Sequence, residues 1–371
     1  MKLVFSDKEL GKLFIMLVLA TLLFGMFGLV GMLVMQWVTR QRYAKEHIEK
    51  HGISRVNASR LGGAVVIGLA LSFLVARYLS GYEFSDAGSL GIHPWAWAAF
   101  LASSILGLIE DLDNDLLSPR LRLSMLGLFF GLTFVIWPEV IPHNIGYMPI
   151  DWVMSQPVIG WTIVVIFSVG FINAINMADG ANGLVPGIVF ISSVIFHSID
   201  GALIWEVLSI VSGVFLMFNV ISGRLFLGDA GAYGLGAILV LGGFYAVNTG
   251  RIGVEFAAVM MCYPCIEVVI SMVRRKLAGR SMFKPDNDHL HNKIYERLRL
   301  RTESRVVANS VTGLLIACAS TGVAFVGYHW ELLSPVDRAW GWVFCAQLLA
   351  YLAVYAFLSR PVPEPTNIIA K

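Results

Sequence analysis

Charged side chains are scarce in this 371-residue chain: 14% of it is charged and 57% hydrophobic. Soluble domains carry about a quarter charged residues, so a soluble fold is excluded and a polytopic membrane protein is expected. Cysteine is scarcer still. The four are Cys262, Cys265, Cys318 and Cys345, all in apolar segments. Cys262-x-x-Cys265 has the spacing of a zinc or redox half-site but lacks a second pair. No disulfide framework is implied, and buried structural thiols are expected. Long polar tracts are missing as well. The longest, Arg274–Arg305, is too short to stand as a soluble domain, and no short-period repeat or low-complexity tract appears. A net charge of +2 says nothing about partners by itself, whereas its distribution does; no nucleic acid is expected among them. Nor is a cleavable signal evident: the apolar run Leu13–Val38 is too long for a signal h-region and reads as a first membrane helix.

What the chain does have is apolar runs. Mean hydropathy is +0.73. Runs near the ~20 residues that cross a bilayer fall at 13–38, 61–79, 94–109, 122–138, 156–172, 184–198, 203–221, 231–248, 252–273, 306–328 and 340–358. The expected fold is therefore an all-α polytopic membrane protein of about eleven transmembrane helices. The short fifth to ninth runs should form a tight cluster. Residues 1–358 form one transmembrane unit with polar loops at 39–60, 110–121, 173–183, 222–230 and 274–305. The tail 359–371, with three prolines, is expected to be disordered.

Basic residues are unevenly shared. Six fall in 39–60 and ten in 274–305, while loops 80–93, 139–155 and 199–202 have none. The positive-inside rule puts the basic loops in the cytoplasm, the N-terminus in the periplasm and the C-terminus in the cytoplasm. Only Lys2, Lys8 and Lys12 pull the other way. Within the helices, Arg77 reads as a snorkelling side chain, and Glu206, Glu255 and Glu267 as residues near helix ends.

Four polar motifs share the basic side. The first is Asn173–Gly183, Asn-Ala-Ile-Asn-Met-Ala-Asp-Gly-Ala-Asn-Gly. Asn173, Asn176 and Asp179 are three apart and share a face if the preceding helix continues that far. A membrane turn explains the glycines and one or two polar residues, but not oxygen-bearing side chains repeated before the turn. The second motif is Glu110-Asp111-Leu-Asp113-Asn-Asp115. Adjacent carboxylates at a membrane boundary call for a metal or a proton nearby. An acidic loop before a Ser118-Pro119 helix start accounts for Asp113 and Asp115, less well for Glu110 and Asp111. The third is Gly228-Asp229-Ala-Gly231, where glycine lets backbone close in and the carboxylate offers a hard oxygen; ordinary turn chemistry is the plain alternative. The fourth is Lys284-Pro-Asp286-Asn-Asp288-His289-Leu-His291. Zinc is discounted for want of a third strong ligand. A diphosphate suits histidines beside many arginines. A headgroup-binding basic loop explains the arginines, but not the paired histidines. Together the motifs fit phosphoryl transfer between a soluble nucleotide and a lipid.

This set, with Arg60-x-Gly62-Gly63, resembles the polyprenyl-phosphate N-acetylhexosamine-1-phosphate transferases. The resemblance covers most of the chain, with the motifs in the family's order. It implies that undecaprenyl phosphate attacks the β-phosphorus of a UDP-N-acetylhexosamine, releasing UMP and forming a lipid diphospho-sugar at the bacterial inner membrane, with the active site facing the cytoplasm. It implies Mg²⁺, with Mn²⁺ as the substitute, on Asp229 and Asn176. By motif position Asp111 and Glu110 orient or deprotonate the lipid phosphate. Asn173, Asp179, Asn182, Gly183, His289, His291 and Arg60 match substrate-binding positions. Two departures stand out: Glu110 replaces the first of a usual Asp-Asp pair, and Asn182 the second acid of an Asp-Gly-x-Asp-Gly motif. The chain is more similar to initiators of O-antigen or capsule than of peptidoglycan, and a homodimer is compatible with it. Two rivals stand beside this reading: a transporter of an anionic or lipid-linked substrate, and an inactive homologue serving as assembly partner.

Overall fold

The computed structural model describes residues 7–41, 58–81, 93–113, 116–281 and 286–360, with side chains from residue 11 onward. Most of the 39–60 loop, Asp115, Lys284 and the tail beyond residue 360 lie outside the described residues. Among the described residues the fold is all-helical. The elements are α1 (Asp7–Val38), α2 (Gly62–Leu79), α3 (Pro94–Leu112), α4 (Pro119–Ile136), α5 (Met148–Met154), α6 (Pro157–Ala178), α7 (Leu184–Asp200) and α8 (Leu203–Ser222). They continue with α9 (Gly228–Asn248), α10 (Val254–Met260), α11 (Cys262–Leu277), α12 (Leu290–Arg299), α13 (Arg305–Ala319), α14 (Thr321–His329) and α15 (Trp340–Leu358). Eight helices are long and apolar enough to span a membrane, and ten spans result if the bent pairs α10–α11 and α13–α14 each count as one. The shorter apolar helix α7 accounts for the remaining run, so every apolar stretch of the sequence is helical.

The starts follow local chemistry. Pro94, Pro119 and Pro157 open α3, α4 and α6, where a missing N–H costs nothing. Ser118 caps α4 by accepting from the Leu121 N–H at 3.3 Å.

At the centre stands α9, 78% buried along its spanning window, against 6% for α15. Without a hydrophobic drive between helices in lipid, association depends on close packing of small residues. Here they are glycines. A side chain on Gly107 would overlap the Asp229 backbone, and one on Gly234 would overlap Ser104; both lie where α3 runs along α9. At the α9 N-terminus Gly63 meets Gly231 in the same way. The central cluster thus includes α3 as well as the helices expected there.

Two runs that read as straight spans are bent. The α10–α11 pair turns by 79° and α13–α14 by 47°. Pro264 stands in the first turn of α11 and has no N–H for the Met260 carbonyl. Thr321, at the other break, supplies it: its hydroxyl donates to Met260 O at 2.7 Å. Gln347 of α15 donates to the Ala319 and Ser320 carbonyls at 3.2 and 3.0 Å. Backbone freed at both bends is thereby satisfied, as lipid demands. Arg77 does more than snorkel, since it pairs with Glu206 of α8 at 3.6 Å. Glu206 and Glu255 do fall in first turns of helices. Glu267 does not: it is wholly buried within α11.

Candidate active site

The carboxylate cluster forms where α9 begins. Residues 58–63 run beside 224–227, with Ser59 N–H donating to Arg224 O at 3.0 Å and Phe226 N–H to Ser59 O at 2.8 Å. Gly62 and Gly63 N–H groups donate to the Phe226 and Leu227 carbonyls at 3.0 and 2.7 Å. A side chain at residue 62 would strike Phe226 O, so the Arg60-x-Gly-Gly element is what lets Arg60 lie over the α9 N-terminus. Gly228 has φ +71° and its Cα faces Arg60 O and the Asp111 carboxylate; a side chain there would be strained and crowded.

Asp111 ends α3 and is 1% exposed. Its two oxygens accept from Asp229 N–H at 3.0 Å and Ala230 N–H at 2.8 Å. These are orphan donors of the first turn of α9, and the helix dipole favours the negative charge there. Asp229 in turn accepts from Asn176 Nδ2 at 2.7 Å. Arg60 bridges Asp111 and Asp229 at 3.4 and 3.6 Å. Arg122 bridges Glu110 and Asp229 at 3.2 and 3.6 Å. Three carboxylates, two guanidiniums and one amide thus meet, drawn from the stretch before α2 and from α3, α4, α6 and α9. Arg122 lies just past the 110–121 loop in sequence, and its pairing with two acids needs the fold.

The histidine motif forms a second cluster. The His289 and His291 rings stack, 5.3 Å apart and 9° from parallel. His291 Nε2 fills the space where a side chain on Gly180 would begin, which brings this motif against Asn173–Gly183. Behind the rings, His289 Nδ1 lies 3.0 Å from Glu267 Oε1 and His291 Nδ1 lies 2.9 Å from the Tyr263 hydroxyl. Burial pushes the His291 imidazole down to about 4, with the His289 charge adding and Glu267 opposing. His291 is therefore neutral near pH 7. Asp286 accepts from Arg274 at 2.8 and 3.0 Å and from Arg275 Nε at 2.9 Å. Partial burial works against its charge, but Arg275 and Arg274 outweigh that and hold it well below the ordinary carboxylate range. Asp288 is likewise lowered: burial raises it, and Lys293 with the Tyr355 hydroxyl outweighs burial.

The remaining motif residues divide. Helix α6 does continue through Asn173 and Asn176, and Asp179 caps it. Asn173 turns its amide back to Val169 O at 2.7 Å. Asn182 is buried, with its backbone N–H 3.3 Å from Asn309 Oδ1 and its side-chain amide 3.4 Å from Ser310 Oγ on α13. Gly183 has φ +80° and its N–H donates to Asn219 Oδ1 at 2.6 Å. These contacts tie Asn182 and Gly183 to α8 and α13. Tyr263, Glu267 and Tyr351, behind the histidines, belong to no sequence motif read above.

Among the described residues no three His, Cys, Asp or Glu side chains form a closed metal cage. The Asp229 cluster suits an open oxygen site instead. Asn176 faces Asp229, and Glu110 Oε2 is buried without a hydrogen-bond partner. Mg²⁺ takes one or two carboxylates and completes its shell with water and substrate phosphate.

Residues 94–246 match the family described as glycosyl transferase family 4, a span holding every motif except Arg60 and the histidines. The chain is 30% identical over 191 residues to an undecaprenyl-phosphate alpha-N-acetylglucosaminyl 1-phosphate transferase of Thermotoga maritima, covering 51% of this chain and 57% of that protein. It is 26% identical to a decaprenyl-phosphate N-acetylglucosaminephosphotransferase of Mycolicibacterium smegmatis, covering 64% and 65%. It is also 26% identical to a phospho-N-acetylmuramoyl-pentapeptide-transferase of Lactococcus lactis, covering 66% and 76%. The chain thus spans less than two thirds of the first two relatives. The resemblance carried by the motifs is borne out at the level of the family, and relatives of both the N-acetylglucosamine and the pentapeptide kind match at similar identity.

Proposed function

Starting from a membrane chain whose central region is of the glycosyl transferase family 4 type, we propose that it transfers an N-acetylhexosamine 1-phosphate from a UDP-sugar to undecaprenyl phosphate. UMP leaves, and the lipid diphospho-sugar begins an O-antigen or capsule type polymer. The reaction is placed at the cytoplasmic face of a bacterial inner membrane. The observation that supports it is the meeting of Glu110, Asp111, Asp229, Arg60, Arg122 and Asn176 at one helix N-terminus.

Phosphoryl transfer asks the protein mainly to position phosphates and offset charge. Asp229 and Asn176 would hold Mg²⁺, which supplies divalent charge opposite the diphosphate. Arg60 and Arg122 lie within ion-pair reach of Asp229 and can turn to phosphate oxygens. Asp111, buried with both oxygens on backbone N–H groups, holds the α9 terminus and so sets where Asp229 stands. Glu110 keeps an unpaired buried oxygen, which suits it to receive or orient the lipid phosphate's proton. His291, neutral, and His289 face the nucleotide-sugar side through Gly180.

The test is UMP release by the purified chain with polyprenyl phosphate, Mg²⁺ and either UDP-GlcNAc or UDP-GalNAc. Turnover abolished by EDTA supports the proposal. Substrate movement across a bilayer without UMP favours a transporter, and silence with every UDP-sugar favours an inactive homologue.

A further inference from the structure

Glu267 lies outside the residues assigned above, yet its carboxylate is wholly buried and held by four other groups. We propose that Glu267 is a positioning residue for His289: it fixes the proton on Nδ1 and so presents Nε2 to the phosphate-bearing substrate. The inference rests on the transferase reading.

Four groups converge on the Glu267 carboxylate. Oε1 receives the Ser271 hydroxyl at 3.1 Å and His289 Nδ1 at 3.0 Å. Oε2 receives the Leu290 N–H at 3.1 Å and the Tyr351 hydroxyl at 2.8 Å. Glu267 is 0% exposed, so bulk water does not reach it. An ionised carboxylate only accepts. A protonated one would turn an O–H toward one of these four partners, and the peptide N–H of Leu290 can do nothing but donate. With Glu267 ionised and four donors around it, Nδ1 of His289 carries its hydrogen. The tautomer, usually open for a histidine, is set here by the far side of the ring.

The surroundings leave Nε2 to the substrate. Asp286 Oδ1 is 3.8 Å from it, but Asp286 is held by Arg274 and Arg275. His291 stacks on the ring, with Tyr263 behind it. Tyr351 and Tyr355 close the site from α15, Tyr355 through Asp288. An amide or apolar residue at 267 could join α11 to α12 without a buried charge. A carboxylate adds two things those lack: a fixed proton position on the neutral ring, and a counter-charge once Nε2 takes up a proton.

The experiment is a double-mutant cycle on the full purified chain, reading UMP release with UDP-GlcNAc or UDP-GalNAc, polyprenyl phosphate and Mg²⁺. Glu267→Gln is expected to lose about tenfold to a hundredfold in kcat, the usual size for an outer partner that orients a working histidine. His289→Gln should then mask it: the double variant should fall within about threefold of His289→Gln alone. Losses that multiply overturn the proposal. The pH profile of kcat/KM gives a second reading, shifted in Glu267→Gln and overturning if unchanged. Should Glu267→Gln fail to fold, Tyr351→Phe takes its place in the cycle, with a smaller loss that His289→Gln also masks. A wild-type chain that releases no UMP overturns both this inference and the transferase reading. An active wild type with a fully active Glu267→Gln overturns this inference alone.

Discussion

The two clusters are built on opposite plans. At the start of α9, charge is held by backbone: Asp111 grips the Asp229 and Ala230 N–H groups, and glycines at 62, 63, 107 and 228 let main chains approach. At the histidines, charge is held by side chains reaching across long sequence distances, with Glu267, Tyr263 and Tyr351 behind the two rings. The first plan yields a rigid frame with one loosely satisfied member, Glu110. The second yields a saturated one, in which each removed donor or acceptor leaves a partner orphaned. The lesson is that a site can be assembled from one part that fixes position through the fold's backbone and another that fixes protonation through buried side chains.

The sharpest way to break this contrast is Asp229→Ala. We expect loss of turnover with membrane insertion and thermal stability retained, read by UMP release and a melting curve. Near-normal activity would remove the metal and phosphate from α9. Next in size is Gly180→Ala. Its new methyl group would displace His291 and leave the carboxylates in place, so activity should fall about a hundredfold with little change in Mg²⁺ dependence. Smaller is the contrast within the acid pair. Asp111→Asn loses a charged acceptor of two backbone donors and should lower both activity and stability, the latter by about 1–3 kcal/mol. Glu110→Gln should lower activity less and stability hardly at all; the reverse order would exchange their roles.

The last effect is in pH and is read in stability, not in turnover. His291 sits at about 4 in the fold and at 6.5 when exposed. Below 6.5 the unfolded chain binds the proton more readily, so the neutral ring's contribution is fully present above 6.5 and is lost as pH falls through 4. The melting temperature should therefore decline across that window, and His291→Gln should flatten the decline.

Much of this was legible in the sequence, for stated physical reasons. Bilayer-length apolar runs specify helices, so each of the expected spans is helical. Asn176, Asp229, Glu110 and Asp111 stand beside glycines or at helix ends, where polar residues in lipid need a purpose, and the fold brings them together. The bends at Met261 and Ser320 were hidden, because hydropathy does not register a break that other helices satisfy. The surroundings of Asn182 were hidden for a related reason: its contacts with Asn309 and Ser310 of α13 span more than a hundred residues of sequence. Glu267 looked like a boundary residue, since only tertiary partners reveal why an acid can stand within an apolar helix.

The interlocking bends carry a consequence for biogenesis. Thr321 completes the hydrogen bonding of Met260, Gln347 that of Ala319 and Ser320, and Tyr351 that of Glu267. Each debt incurred by an earlier segment is settled by one the ribosome makes later. A chain that stops before residue 351 holds every motif read above and still lacks the Tyr351 bond to Glu267, so the histidine pair is finished only once α15 is in place.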